Sequence, residues 1–234
     1  AVVVFFLISG WLVGGSLLAK VGRPQALSAY AIDRVSRLWT VLIPTFTLML
    51  LFGVFAGELL PNTIDYSRAN NYSLLSFLGN LVGLQTVTMV QFGGNYPLWS
   101  LDNETWYYLM FPLLLVLVTG STPARRVLAM LTLVAIALAL PYDMTLYFLV
   151  WLLGAIFSRV RVDCNNAVRW LMLAVFGAVA AYFRLTGYND DMTAASFVQD
   201  LVYSLVFLLF LCSMHIKADP ASRRMARLRS GATF

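Results

Sequence analysis

Long apolar windows alternate with short polar loops along the chain, and the windows run too long for strands, so the pattern predicts helices. Windows approaching spanning length cover residues 1–19, 38–57, 98–118, 127–140, 145–157, 170–183 and 201–216. A membrane-crossing helix needs about 20 residues, and the windows at 127–140, 145–157 and 170–183 fall short of that. The expected fold is all-α, a polytopic transmembrane helix bundle of about seven spans. Residues 74–90 are half apolar but interrupted by Asn80, Gly83, Gln85 and Thr88. A true span there would invert every later loop, so an interfacial or re-entrant helix is expected.

The loops orient the bundle. Of the 16 Lys and Arg residues, all but Arg68 and Arg184 fall in alternate loops or in the tail, from Lys20, Arg23, Arg34 and Arg37 to Lys217 through Arg229. Lys and Arg collect on the cytoplasmic side, which places these loops and the carboxy-terminus inside. The opposite loops carry Glu58, Asp65, Asp143, Asp190, Asp191 and Asp200. With the tail inside, Ala1 falls outside, and the chain opens on AVVVFFLISG, already apolar and without an initiating Met. An upstream helix is therefore expected, and an artificial boundary after Phe234 as well.

Composition narrows the class. Hydrophobic residues make up 60% and charged residues only 12%, against about 25% charged in soluble domains. No composition break or repeat divides the chain, so residues 1–234 read as a single membrane-embedded domain. The net charge of +5 follows the loop pattern and points to membrane lipids, with no nucleic acid as partner. Cys164 and Cys212 both fall on the cytoplasmic side and read as reduced thiols. One histidine, His215, and no CxxC spacing leave no metal-ligand cluster, and His215 at the inner end of the last window reads as a boundary residue.

Candidate chemistry concentrates in NYPLWSLDNETWYYLMFP, residues 95–112. An acid at membrane depth costs at least roughly 2.5 kcal/mol, so one that persists has a partner or a task. On a helix Ser100, Glu104 and Tyr108 share a face, with Tyr107 beside them. That face is expected to point into protein or a wet cavity. Glu104 is read either as a buried hydrogen-bond acceptor or as a group that moves protons, while Asp102 projects elsewhere, nearer water. Arg34 and Arg37 are expected on one face of a helix that Ser28 could cap, leading into a span bent at Pro44. Paired guanidiniums at the inner surface suit either lipid headgroups or the phosphates of a cytoplasmic ligand. Gly10 and Gly14 form a GxxxG step on which another helix can approach closely.

VFFLISGWLVGG (residues 4–15), the Arg34-Val35-Ser36-Arg37 element leading to Pro44, and NYPLWSLDNETWYYLMFP, in that order, resemble the acyltransferase 3 family of integral-membrane O-acyltransferases. The resemblance is concentrated before about residue 118. It implies transfer of an acyl group, often acetyl from acetyl-CoA, to a hydroxyl of a cell-surface carbohydrate, lipid-linked glycan or related acceptor. It also implies that Arg34 and Arg37 hold the CoA phosphates and that Glu104 belongs to the catalytic site; the shared helix face adds Ser100, Tyr107 and Tyr108 as expected supporting residues, and no bound cofactor is expected. A general-base histidine is implied upstream of Ala1, so that this stretch alone would not complete the reaction. The implied location is the inner (plasma) membrane of a bacterium. A transporter or flippase using Glu104 as a relay is the alternative, although the inverted repeats common in transporters are not visible.

Overall fold

The computed structural model describes residues 2–55, 71–187 and 193–214. His215, the basic tail and the outer residues 58–68 and 190–191 lie outside them. Among the described residues every regular element is helical, and the only extended pairing is an isolated bridge between Gln85 and Met89. Helix α1 (Val2–Ser9) passes through a π-helical turn at Gly10–Gly14 into α2 (Gly15–Leu18). There follow α3 (Ala26–Phe55), α4 (Leu74–Leu81), α5 (Trp99–Thr119), α6 (Pro123–Ala139), α7 (Tyr142–Phe157), α8 (Asn166–Thr186) and α9 (Phe197–Ser213).

Local chemistry sets several of these boundaries. Asn165 accepts a 2.9 Å hydrogen bond from the Val168 amide and starts α8 ahead of its apolar run. Thr122 caps α6, with Pro123 in the first turn, where its missing N–H costs nothing. Pro97 sits in a short 3-10 turn, Tyr96–Leu98, that feeds α5. Pro44 lies inside α3 without ending it. Ser28 is not the cap expected for α3. The helix begins at Ala26, and the Ser28 hydroxyl donates to the Gln25 carbonyl.

Over its described residues each of the seven apolar windows is largely helical, and two of the seven expected spans are clear by length and composition. Among the described residues, α3 and α8 are long and apolar enough to cross a membrane by length and composition, while Val2–Leu18, α7 and α9 are apolar but shorter. Within 74–90, expected as an interfacial or re-entrant helix, the helical part is Leu74–Leu81. Asn80 turns its amide onto the Val90 carbonyl and accepts from the Phe92 amide, each at 2.9 Å, which folds the chain back on itself. Gly83, at φ +79°, makes the bend.

The centre of the bundle is the contact between the first helical rod and α7. A Cβ on Gly10 would stand 2.0 Å from the Trp151 carbonyl oxygen, and one on Gly14 would stand 2.4 Å from the Ala155 methyl. Facing them, a Cβ on Gly154 would stand 2.2 Å from the Leu7 carbonyl oxygen. Small residues on both sides let the backbones touch. Trp151, fully buried, packs at this crossing against Phe111, Phe148 and Tyr107. A second aromatic group, Phe46, Phe77 and Phe92, with centroids 5.1–5.4 Å apart, ties α4 and the turn after it to α3.

The outer helices are left apolar on the outside. No residue of α8 is buried, and Trp170, Leu185, Leu138 and Phe55 all stand largely exposed. Such surface is unfavourable in water by about 25 cal/mol per Å² and costs nothing against lipid tails.

Candidate active site

Glu104 is 3% exposed and faces protein, on the side of α5 turned toward α1 and α3. Around it gather Ser9 from the end of α1, Tyr30, Arg34 and Arg37 from the first turns of α3, Tyr108 one turn further along α5, and Trp151 from α7. The Trp151 indole N–H donates to the Ser9 hydroxyl at 3.2 Å, and the Ser9 and Tyr108 hydroxyls lie 3.4 Å apart. Both hydroxyls are within hydrogen-bonding reach of the Glu104 carboxylate. Its Oε1 is buried without a partner.

Arg34 crosses above the aromatic rings, its guanidinium carbon 5.8 Å from the Tyr108 centroid and 5.9 Å from that of Tyr30, within cation–π range. One Nη pairs with the adjacent Asp33 carboxylate, while Nε is buried and unpartnered. Arg37, more exposed, and Arg34 both lie within electrostatic reach of Glu104. Among the described residues neither closes an ion pair on it. Two guanidiniums and a carboxylate thus share one field with hydrogen-bonding capacity unspent. A cleft of about 360 Å³ opens beside them between α3 and α5, lined by Tyr30, Arg34 and Tyr108 at one part and by Leu27, Val35, Leu38, Leu109 and Pro112 elsewhere.

Residues 1–232 match the family model described as an acyltransferase domain, that of acyltransferase 3. The chain belongs to the acyltransferase 3 family. A curated relative, an uncharacterized protein of Haemophilus influenzae, is 28% identical over 137 residues, covering 56% of this chain and 55% of the relative. The chain thus spans about half the length of the curated relative it matches. No solved structure matches it.

Within this acyltransferase domain the other sequence-singled residues divide. Tyr108 joins Glu104, whereas Tyr107 turns to α7 and donates to the Met144 carbonyl at 2.8 Å. Ser100 lies in the first turn of α5 and spends its hydroxyl on the Pro97 carbonyl, as serines at helix starts do, so it does not reach the cluster. Asp102 is the clearest difference. Instead of lying nearer water it is fully buried, accepting a hydrogen bond from the Thr86 hydroxyl, with the Trp106 indole also in reach. Trp106 donates to the Gly83 carbonyl at 2.7 Å. Asp102 therefore anchors the turn after α4 to α5, and its carboxylate does not meet that of Glu104.

Ser9, Tyr30 and Trp151 are members of the cluster that sequence reasoning did not single out. Ser9 lies beside the GxxxG step and Trp151 within an apolar window, and neither position signals a long-range hydrogen bond. Among the described residues no group of three or more His, Cys, Asp and Glu could hold a metal. Cys164 and Cys212 are free thiols.

Proposed function

We propose that the protein is a membrane-bound acyltransferase moving an acyl group, commonly acetyl, from a cytoplasmic acyl-CoA to a hydroxyl of a cell-surface carbohydrate or lipid-linked glycan. The observation that carries this reading is the convergence of Glu104, through an unpartnered carboxylate oxygen, with the guanidiniums of Arg34 and Arg37. Membership of the acyltransferase 3 family supports it. In the reaction the acceptor oxygen attacks the thioester carbonyl carbon, a C–O bond forms, the C–S bond breaks, and CoA leaves as the thiol after taking a proton. Arg34 and Arg37 would hold the donor phosphates, for which planar guanidiniums are suited. Glu104, steadied by Ser9 and Tyr108, would keep Oε1 to accept a hydrogen bond from the acceptor hydroxyl or from the base that takes its proton. The setting would be the inner membrane of a bacterium, with the arginines and the carboxy-terminus on the cytoplasmic side.

The test uses membranes containing the full-length protein, with the sequence upstream of Ala1 restored, supplied with acetyl-CoA labelled in the acetyl group. Label should pass to carbohydrate, and Arg34→Ala with Arg37→Ala should weaken CoA binding about tenfold or more, since charge-assisted hydrogen bonds contribute about 1.5–3 kcal/mol each. Undiminished CoA binding in the double variant would remove the arginine assignment. Uptake of a labelled solute without acyl transfer would favour a transporter.

A further inference from the structure

Serines and threonines inside helices commonly hydrogen-bond to the carbonyl three or four residues earlier. Ser16, Thr40, Thr45, Thr105, Thr132 and Ser204 all do so here, at 2.6–2.9 Å. Ser9 does not. It closes α1, is buried, and turns its hydroxyl across the bundle to the Trp151 indole at 3.2 Å and the Tyr108 hydroxyl at 3.4 Å, within reach of the Glu104 carboxylate. An indole N–H can only donate. It therefore fills a lone pair on Ser9 Oγ and leaves the single Ser9 proton to be given onward, for which a carboxylate is a stronger acceptor than a phenol. The fold holds Trp151 where this requires. Its carbonyl oxygen would stand 2.0 Å from a Cβ on Gly10, so its backbone rests on the residue next to Ser9. Its ring is fixed 5.0 Å from Phe111 and 6.0 Å from Phe148. Directly after Ser9 the helix widens into the π-helical turn Gly10–Gly14, a departure that often accompanies function.

Building on the acyl-transfer reading above, we propose that Trp151 is a positioning residue for the transfer step, acting through Ser9 on Glu104. The indole N–H holds the Ser9 hydroxyl off its own helix backbone, and Ser9 in turn donates to the carboxylate. Since Oε1 of Glu104 has no partner, the donated proton falls on the other oxygen, and Oε1 is kept aimed and open for the acceptor side. Without the indole, Ser9 has the ordinary helical alternative of bonding to its own backbone. The carboxylate then loses a fixed donor and its orientation, and a small misplacement of a reacting group costs rate far more than binding. The close contact of Gly10 with α7 thus serves the site as well as the packing, because it brings the Trp151 indole to Ser9.

The experiment uses the full-length protein in membranes, supplied with labelled acetyl-CoA, and compares wild type with Ser9→Ala, Trp151→Phe and the double variant. Each single substitution should lower kcat about tenfold or more, as expected for losing a hydrogen bond to a charged group, while KM for acetyl-CoA stays within about threefold. Because both residues act in one bonded chain, the double variant should be no more than about threefold slower than the slower single variant. Benzothienylalanine in place of Trp151 keeps both rings and puts sulfur where the N–H was, so it should reproduce the loss in kcat without a loss of volume. Losses that multiply in the double variant would mean that Trp151 serves packing alone and would overturn the proposal. A wild-type kcat in Ser9→Ala or with the sulfur analogue would overturn it as well. Each of those results leaves acyl transfer standing, whereas no transfer by wild type would remove both readings.

Discussion

Alanine at Gly10 should destabilise the protein, although alanine is the better helix former. The new Cβ would stand 2.0 Å from the Trp151 carbonyl oxygen, 3.0 Å from its carbon and 3.2 Å from the Ala155 nitrogen. Carbon–oxygen contacts close at about 3.3 Å, and the obstructing atoms are backbone, so the α1 rod and α7 must separate by roughly 1 Å. That movement loosens the 3.2 Å bond between Trp151 and Ser9 and the packing of Gly154 on Leu7. Overpacking costs about 1–3 kcal/mol, and the weakened hydrogen bond about 1 kcal/mol. The gain from replacing a helical glycine is about 0.5–1 kcal/mol. The net loss is about 1–3 kcal/mol, or a fall of ~2–10 °C in Tm for a chain of this size. Gly177 in α8 is the control, since a Cβ there meets nothing within 4 Å, and Gly177→Ala should raise Tm by ~1–4 °C. Thermal unfolding in detergent, followed by tryptophan fluorescence, measures both. A Gly10→Ala protein as stable as wild type would refute the close backbone contact.

Two further substitutions test the buried polar pins. Thr86→Val keeps the shape of the side chain but removes the donor to Asp102, so it should cost about 1.5–3 kcal/mol and red-shift Trp106 emission as the turn loosens. An unchanged spectrum and Tm would contradict the anchoring role. Tyr147→Phe deletes the hydroxyl that reaches Asp200 at 2.5 Å and Ser196 at 3.0 Å. Amide exchange at the start of α9 should accelerate by about tenfold or more, and equal exchange would show that the α7–α9 contact does not depend on this bond.

The helices were legible because apolar runs of ten or more residues have few other solutions, and the GxxxG step at Gly10 and Gly14 announced a close approach without naming its partner. Span length was less legible. The α8 window begins at Trp170, where the apolar run does, while the Asn165 cap starts the helix at Asn166. The turn after α4 was hidden because Asn80 reads as a polar interruption of a helix, whereas its amide instead ties down Val90 and Phe92. Within the site, Glu104 stood out because acids are expensive in apolar surroundings, and the arginines because they are paired. Asp102 was misplaced since spacing gives the face of a helix but not what covers it, here Thr86 from sixteen residues earlier. Ser9 and Trp151 meet across 142 residues of sequence, and no local pattern encodes such a contact.

The central claim is that Glu104 acts in the transfer step and not merely in packing. Single-turnover transfer from acyl-CoA by Glu104→Gln, with CoA binding measured on the same sample, tests it directly. The substitution keeps the volume and the hydrogen bonds from Ser9 and Tyr108 while removing the carboxylate. The account predicts CoA binding within about threefold of wild type and transfer slowed by about 10²–10⁴-fold. Transfer at the wild-type rate in Glu104→Gln would contradict it.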